Sequence, residues 1–327
     1  MKALFFNDFG DASVLQYGEV ADPIVTANTV LVKTTYIGLN FADIYRRRGT
    51  YHLEKHQPYI DGYEGVGTVV AVGKQVANFK RGDRVLFVDV PFANASLVVV
   101  PADQAIKVPR AINDQQVASI GLQGMTAEFL VHDLAQNQPH DRVLIHGISG
   151  GVGQLLTQLL VANEVAVYGV ASTPAKAELA YQAGATTVFM RHDPWDTTHH
   201  NFFDTVFDGV GKTLPVSLAT TKHRGRVIFY GMAAGNPPVI DPVKLMSESK
   251  SLMTGDLWDY LDSAVARQCR AMDSAVARQC RANQLFDDVL THRVTIRPAT
   301  VYSLAEGAVA HRALETGQVA GKILLRP

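Results

Sequence analysis

Charge of one sign, cysteine and long apolar runs are all scarce in this sequence, and each shortage excludes a class of protein. The 30 Lys and Arg residues are balanced by 31 Asp and Glu residues, so no basic excess is available to attract nucleic acid or a membrane surface. Two cysteines are too few for a disulfide framework and favour a reducing, cytoplasmic setting. No apolar run reaches the ~18 residues of a membrane-spanning helix, and the first ten residues lack the apolar core of a signal peptide.

The length of the chain, 327 residues, is too great for a single small core and predicts two domains. The first third is rich in short apolar or β-branched runs that Gly, Pro, Asn or Asp residues bound, at 30–34, 66–72 and 84–87. This pattern predicts a compact, irregular β-barrel with one short helix near residues 41–48.

From about Gln115 the pattern changes to strands that alternate with helices. Strands are predicted at 142–146, 164–170, 187–190, 205–207 and 226–230, and helices at 154–161 and 175–182. This alternation indicates parallel βαβ units with right-handed crossovers. The apolar strands suit a sheet that is covered on both faces, so we predict a doubly wound nucleotide-binding domain.

A perfect internal repeat interrupts this pattern, because residues 262–271 and 273–282 are identical. Eleven residues return to within roughly 20° of the same helix face, so both copies can continue one amphipathic helix. Solenoid repeats are longer and diverge. The identity therefore indicates either a recent duplication or an error in the sequence, and we expect no catalytic role for it.

The residues from Gly147 to Gly153 read Gly-Ile-Ser-Gly-Gly-Val-Gly, directly after a predicted strand and at the start of a helix. Glycine lets the backbone turn sharply and approach a pyrophosphate, which the first N–H groups of the helix can hold. The second and third glycines of the usual pattern are present, whereas Ile148 stands at the first. A glycine cluster alone is common, but its place in a βαβ series predicts dinucleotide binding by four residues: Gly150, Gly151, Val152 and Gly153.

The end of the next predicted strand bears on the choice between NADH and NADPH. A carboxylate for the ribose hydroxyl is expected ~20 residues beyond the glycines, and residues 170–173 contain none. Ser172 and Thr173 can hydrogen-bond a phosphate instead. Lys176 and Arg191 are candidate cations for it, although Lys176 is also typical of a solvated helix surface. The absence of a carboxylate at residues 170–173 is the strongest of these observations, and NADPH is therefore the expected cofactor.

Several short motifs in this order and spacing resemble those of the medium-chain dehydrogenase/reductase superfamily, and above all its quinone oxidoreductase branch. They are residues 38–43 with Tyr45, 61–67, 82–85, 124–127, 150–153, 208–211, His311-Arg312 and 321–323. The resemblance covers nearly the whole chain. It implies a GroES-like β-barrel catalytic domain at residues 1–120 and 260–327, split around a Rossmann NADPH-binding domain at residues 121–259.

The same resemblance implies further cofactor contacts and an assembly. The additional contacts are Asn40, Thr126, Gly209, Tyr230, Gly231, Met232 and Lys322. A homodimer is expected through edge-to-edge pairing of Rossmann sheets at a strand near residues 251–253, because an exposed apolar edge strand tends to pair with its twin.

Zinc-dependent members of this superfamily have Cys where Asn40 stands and His where Tyr63 stands. A catalytic zinc needs about three protein ligands, and Glu64 alone cannot replace the two that are missing. The four-cysteine structural lobe of those enzymes is absent as well. The histidines at four positions, His52, His56, His199 and His200, have no convincing ligand partner, so we expect no bound metal.

Without a Lewis acid, the hydride acceptor must be intrinsically electrophilic, as quinones and α,β-unsaturated carbonyls are. Asn40 matches the family position beside the nicotinamide, and Tyr45 matches a family tyrosine. Tyr51 matches the proton donor of related enoyl thioester reductases, and a phenol can donate a proton at neutral pH. Ordinary packing is an equal alternative for each tyrosine. The arginines at 46–48 are expected to form a solvated basic face.

The sequence therefore predicts a zinc-independent NADPH:quinone or enone reductase. Two alternatives stay open: an enoyl thioester reductase, and a non-catalytic NADPH-binding protein of the kind that lens crystallins and RNA-binding relatives represent. The retained Asn40, Tyr45 and Tyr51 favour catalysis. The natural substrate does not follow from the sequence.

Overall fold

The computed structural model describes residues 1–261 and 274–327. The strands of these residues are β1 Lys2–Phe6, β2 Gln16–Glu19, β3 Thr29–Leu39, β4 Tyr59–Ile60, β5 Glu64–Val72, β6 Arg84–Val88, β7 Leu97–Pro101, β8 Ala105–Lys107, β9 Arg142–His146, β10 Ala166–Ala171, β11 Thr187–Met190, β12 Phe203–Asp208, β13 Thr221–Phe229, β14 Ser251–Thr254, β15 Thr300–Ser303 and β16 Ile323–Arg326.

The helices of the same residues follow in chain order. They are α1 Phe41–Arg47, α2 Asp114–Phe129, α3 Gly151–Val161, α4 Pro174–Gln182, α5 Trp195–Thr198, α6 Leu214–Thr220, α7 Pro242–Ser247, α8 Leu257–Leu261, α9 Ser274–Leu290 and α10 Gly307–Glu315. Short 3₁₀ turns occur at Ala12–Val14 and Leu304–Glu306, and a π-helical turn at Leu130–Ala135. No helix in the described part of the chain is long and apolar enough to cross a membrane.

The chain divides into two compact units. The first comprises Met1–Met125, Leu261–Leu290 and Ile296–Pro327, and the second comprises Thr126–Tyr260 and Thr291–Thr295.

The second unit is built on a six-stranded parallel sheet with the order β11-β10-β9-β12-β13-β14. Two sets of strands run outward from β9, which is the order of a doubly wound dinucleotide-binding fold. The central strands are buried because their apolar side chains pack beneath helices on both faces; Leu144, Val206 and Val227 have no exposed surface. Strand β14 forms one edge of this sheet.

The first unit is largely antiparallel. Its larger sheet has the order β15-β16-β3-β5-β6-β8, and β7 also pairs with β3. Two register shifts between β3 and β5 bend this long strand pair. A smaller sheet has the order β2-β1-β4. Valines of the facing strands, with Phe87, form the buried core between them.

Most predicted elements are present with small changes at their ends. Strands β9 and β11 have the predicted bounds, whereas β13 begins at Thr221, five residues before its predicted start at 226. Polar residues and Gly225 made this part resemble a loop, but it pairs with β12 through an irregular register. The second copy of the repeat lies in α9 from residue 274 onward, and the first copy lies outside the described residues.

Candidate active site

The glycine-rich turn after β9 has the geometry that its sequence predicts. Gly147 adopts a positive φ of 69°, and the Gly150 N–H donates to the Gly147 carbonyl at 2.9 Å. A Cβ atom on Gly153 would lie 2.6 Å from the same carbonyl oxygen, so only glycine fits there. Because no side chain covers the turn at these positions, a pyrophosphate can approach the first N–H groups of α3.

Ile148, the residue that departs from the usual glycine pattern, is accommodated by a glycine on the neighbouring strand. Its side chain is completely buried, and a Cβ atom on Gly169 of β10 would overlap it. The missing glycine of the turn is therefore compensated by Gly169, and the turn keeps its shape.

The candidate phosphate-binding residues come together at the carboxyl ends of β10 and β11. Thr173 caps α4 by accepting a hydrogen bond from the Lys176 N–H at 3.3 Å. The Arg191 N–H donates to the Ala171 carbonyl at 2.9 Å, which fixes Arg191 beside the end of β10. Burial, and then the positive charge of Arg191, lower the pKa of Lys176. Two cations held this close favour an anion between them, and a 2′-phosphate fits that requirement.

A cavity of about 150 Å³ opens next to these residues in the second unit. His146, Arg191 and Trp195 contribute to its wall, together with Gly147 of the glycine turn and Thr213. Its place beyond the carboxyl ends of parallel strands is where doubly wound folds bind nucleotides. Burial lowers the pKa of His146, so this wall carries a neutral imidazole at neutral pH.

The remaining cofactor candidates of this unit lie at the ends of β12 and β13. The Tyr230 N–H donates to the Asp208 carbonyl at 2.9 Å. A Cβ atom on Gly209 would lie 2.7 Å from the Tyr230 ring, and one on Gly231 would lie 3.0 Å from the Gly209 carbonyl oxygen. Met232 follows directly, so this part of the predicted set is contiguous. Thr126 lies separately in α2 and is almost completely buried.

In the first unit, Asn40 belongs to a buried polar network. Its amide Nδ2 donates to Glu64 Oε1 at 2.8 Å and to the Gly38 carbonyl at 3.3 Å. Its Oδ1 accepts from Lys322 Nζ at 3.1 Å and from Gln123 Nε2 at 3.3 Å. Both donors and both lone pairs of the Asn40 amide are thus used within the protein.

Lys322 and Glu64 form the ion pair at the centre of this network. The Lys322 ammonium contacts Glu64 Oε1, and the side chains are 4% and 0% exposed. The second carboxylate oxygen of Glu64 accepts from the Leu122 N–H at 2.7 Å. A Cβ atom on Gly38 or Gly121 would overlap this carboxylate, so two glycines make room for it. Gln123 and these glycines were missed by the sequence analysis, and Lys322 was assigned to the cofactor without its pairing to Glu64.

This arrangement does not fit a metal ion. The carboxylate of Glu64, the remaining candidate ligand, is already neutralised by a lysine, and ammonium and metal compete for the same oxygen atoms. Within residues 1–261 and 274–327, no three His, Cys, Asp or Glu side chains are grouped to hold a metal. A metal ion at this position would have to displace Lys322 from Glu64.

The two candidate proton donors lie beside each other. Tyr45 is on α1 and Tyr51 follows it, with ring centroids 6.1 Å apart in an edge-on arrangement. Phe41, one turn earlier, packs against Tyr45 with centroids 6.3 Å apart. Both tyrosines are partly exposed, so either can reach a ligand, and the geometry leaves the choice between them open.

The expectation of a solvated arginine run at 46–48 is wrong for two of the three residues. Arg46 and Arg47 are completely buried, and the Arg48 side chain alone is exposed, by 53%. Arg47 pairs with Glu315 and lies 3.0 Å from His311 Nδ1. Helix α1 contacts α10, and Arg46 and Arg47 lie on its buried side, whereas Phe41 and Tyr45 are partly exposed.

Buried acids accompany these arginines. Burial raises the pKa of Asp43 to about 6 and that of Asp61 well above its usual value. Burial, followed by the positive charge of Arg47, lowers the pKa of His311 to about 3. Asp43 accepts from the Asn40 N–H at 2.8 Å, and so links the buried charges to the polar network of Asn40.

Comparison with known proteins finds a family model for each of the two parts of the chain. The family model for the alcohol dehydrogenase GroES-like domain matches residues 26–141, and that for zinc-binding dehydrogenases matches residues 151–262. A probable quinone oxidoreductase of Schizosaccharomyces pombe is 33% identical over 97% of this chain and 94% of its own length. A 2-haloacrylate reductase of a Burkholderia species is 31% identical over 91% of this chain and 90% of its own.

Among solved structures, the Escherichia coli quinone oxidoreductase complexed with NADPH matches with a TM-score of 0.92, 28% identity and full coverage of both chains. The chain belongs to the medium-chain dehydrogenase/reductase superfamily, in its quinone oxidoreductase branch. The predicted fold class, a GroES-like domain with a Rossmann domain, is confirmed.

Proposed function

We propose that this protein is an NADPH-dependent reductase that transfers hydride to quinones or α,β-unsaturated carbonyls without zinc. The observation that carries the proposal is the buried ion pair of Glu64 and Lys322, which occupies the carboxylate that a metal would need. Membership of the quinone oxidoreductase branch supplies the reaction class. With no metal to polarise a carbonyl, only an acceptor that spreads its own developing charge can react.

NADPH is the proposed cofactor, and when bound it supplies the hydride. Gly150, Gly151, Val152 and Gly153 would hold its pyrophosphate. Ser172, Thr173, Lys176 and Arg191 would hold its 2′-phosphate, and the closeness of the two cations supports this assignment. The Escherichia coli relative, whose structure contains NADPH, supports it independently.

The chain's own residues would orient the acceptor and return a proton. Asn40 is held in one orientation by four hydrogen bonds, so the surface that it would present to the acceptor is rigid. Tyr51, or Tyr45 beside it, donates the proton that an enolate needs after hydride addition. Quinones need this donor less, since a hydroquinone anion is stable enough to take its proton from water.

A panel of substrates tests the proposal. NADPH oxidation should follow addition of benzoquinones, naphthoquinones or cyclic enones, and simple alcohols and ketones should give no turnover. An NADPH-binding protein without any turnover across the panel would instead support the non-catalytic alternative. Turnover confined to enoyl thioesters would support the other alternative.

Reduction of an activated carbon–carbon double bond is the second activity we propose for the same site. The relative named 2-haloacrylate reductase supports it, because a haloacrylate is an α,β-unsaturated acid. Steady-state rates with 2-chloroacrylate, measured beside those with quinones, distinguish a double-bond reductase from one restricted to quinones.

We also infer a homodimer and a cytoplasmic location. Strand β14 at the edge of the Rossmann sheet, with Leu252 and Met253 half-buried, supports pairing between two copies. Light scattering should give twice the mass of one chain at micromolar concentration. A cytoplasmic location would place the protein with the NADPH pool; cell fractionation tests it.

A further inference from the structure

Arg46 is a completely buried cation that contacts the region of the proposed proton donor. Its guanidinium carbon lies 3.3 Å from the centroid of the Tyr63 ring and 5.1 Å from that of the Tyr51 ring. Its Nη2 lies 3.1 Å from His52 Nε2. The Arg46 side chain therefore contacts Tyr63, Tyr51 and His52. Tyr63 stands where metal-binding members of the superfamily have histidine.

The hydroxyl end of the Tyr63 side chain is held by the carboxylate of Glu54. The Tyr63 hydroxyl donates to Glu54, and the Tyr59 hydroxyl bonds to both, at 2.9 Å from Tyr63 and 3.2 Å from Glu54. Burial and the charge of Glu54 raise the pKa of Tyr59, so Tyr59 stays a phenol. Because Tyr63 is held from both sides, the guanidinium that stacks on it is held as well.

A buried guanidinium acts strongly on nearby negative charge, because little water screens it. Cation–π contact is stronger when it is desolvated, and it restricts the orientation of the Tyr51 ring. When Tyr51 gives up its proton, the negative charge of the phenolate spreads over a ring whose centroid lies 5.1 Å from the Arg46 guanidinium carbon. Asp43, whose Oδ1 lies 3.9 Å from Arg46 Nη1, balances part of that positive charge when its carboxyl group is ionised.

We propose that Arg46 is a positioning residue that orients Tyr51 and stabilises its phenolate during proton transfer to the reduced substrate. The inference rests on the proposed role of Tyr51 as proton donor. Hydride addition to the β-carbon of an enone moves the double-bond electrons onto the carbonyl oxygen as an enolate. The O–H bond of Tyr51 then breaks, its proton forms the new C–H bond at the α-carbon, and water returns a proton to the phenolate.

A double-mutant cycle tests the coupling. Arg46→Gln should lower enone kcat by about 10-fold in the wild-type background and leave NADPH affinity unchanged. In the Tyr51→Phe background it should have no further effect, because the hydroxyl through which Arg46 acts is gone. Arg46→Lys keeps the charge and should recover part of the loss. Arg48→Gln, an exposed arginine next to the same helix, is the matched control and should change nothing.

The pH profile gives a readout that a purely structural role would not move. Loss of the guanidinium should shift the alkaline fall in enone kcat to higher pH, because the phenolate is less stabilised. The charged or titratable groups that face this cluster, and that the substitution leaves in place, are His52, Asp43, Glu54, Tyr59, Tyr63, Tyr45, Asp61 and Arg47.

The outcomes separate the two proposals. Additive losses in the double variant, with an unmoved pH profile, would overturn the role of Arg46 while leaving Tyr51 as donor. An unchanged enone rate in Tyr51→Phe alone would overturn the donor role itself. If thermal unfolding shows that Arg46→Gln does not fold, Arg46→Lys takes its place in the same cycle. If Arg46→Lys then lowers enone kcat as much in the Tyr51→Phe background as in the wild-type background, the proposal is contradicted.

Discussion

At the carboxyl ends of β10 and β11, Lys176 lies near Arg191, and burial together with this second cation lowers the pKa of Lys176. Around α1, two cations are placed differently: Arg46 stacks on Tyr63, and Arg47 pairs with Glu315 in the protein interior. The first region concentrates positive charge at the end of a sheet. In the second region, an aromatic ring or an acid of the chain itself already contacts each cation.

The difference shows how one chain uses charge for two purposes. Cations that repel each other at the end of a sheet favour an anionic ligand, because binding removes the repulsion. Cations already matched by acids and rings cannot gain much from a ligand, and they instead fix the geometry of the side chains around them. We therefore expect substitutions in the first region to change cofactor affinity, and those in the second region to change turnover or stability.

Loss of the proposed proton donor should have the largest effect. Tyr51→Phe keeps the ring and removes the hydroxyl, so enone kcat should fall by roughly 10²–10⁴-fold with NADPH affinity unchanged. Quinone turnover should fall less. Tyr17→Phe makes the same change at an exposed tyrosine of the same unit and should leave both rates intact. Undiminished enone turnover in Tyr51→Phe would transfer the role to Tyr45 or to solvent.

Breaking the buried ion pair should affect stability next most strongly. Glu64→Ala leaves the Lys322 ammonium buried without its counter-charge, and should lower the free energy of unfolding by about 3–5 kcal/mol. Glu19→Ala removes the acid of an exposed pair with Lys2 and should lower the free energy of unfolding far less, because water screens this pair. Urea unfolding measures both. Equal losses would mean that the buried pair contributes no more than a surface one.

Removal of one phosphate-binding cation should change affinity moderately and selectively. Lys176→Ala should weaken NADPH binding by ~1–3 kcal/mol and leave NADH binding nearly unchanged. Fluorescence titration gives both dissociation constants. Lys244→Ala, at an exposed lysine on α7 of the same unit, serves as the control. Equal weakening of the two cofactors by Lys176→Ala would place this lysine away from the 2′-phosphate.

The smallest expected effect is a pH dependence of stability from Asp43. Its pKa of about 6 in the folded protein exceeds the ordinary 3.8, so the folded state holds the proton more tightly than the unfolded state. Its contribution to stability is present at low pH and is lost as pH rises from about 4 to about 6. Asp43→Asn should remove this loss.

The stability of Asp43→Asn relative to the wild type should therefore increase between pH 4 and pH 7 by about 2 kcal/mol. His311 acts in the opposite direction, because its pKa is lowered to about 3, but it is present in both proteins and cancels in the comparison. Urea unfolding at the two pH values measures the difference. A constant difference would mean that Asp43 is ionised throughout.

The cofactor region was largely predictable from the sequence, because its signals are local. The glycine turn, the strand before it and the helix after it are contiguous, and the missing acid beside Ser172 is visible without any fold. Lys176 and Arg191 belong to successive βα units, whose strand ends meet at one edge of the sheet by the rules of parallel topology. Even here, the compensation of Ile148 by Gly169 required the packing of two neighbouring strands.

The buried charges of the first unit could not be predicted in the same way. Lys322 and Glu64 are separated by 258 residues, and no local pattern links them. Arg46 and Arg47 resembled a solvated run because adjacent arginines are usually exposed. Arg46 stacks on Tyr63, whose hydroxyl donates to Glu54, and Arg47 pairs with Glu315 on α10. Only the fold brings these residues together.

Turnover by metal-free protein tests the central proposal most directly. The protein is treated with EDTA, its zinc content is measured by elemental analysis, and NADPH oxidation with a cyclic enone and a benzoquinone is then followed. We predict no stoichiometric zinc and undiminished rates. One tightly bound zinc per chain, with activity that EDTA abolishes and zinc restores, would contradict the account, because the ion pair of Glu64 and Lys322 would then have to give way to a metal.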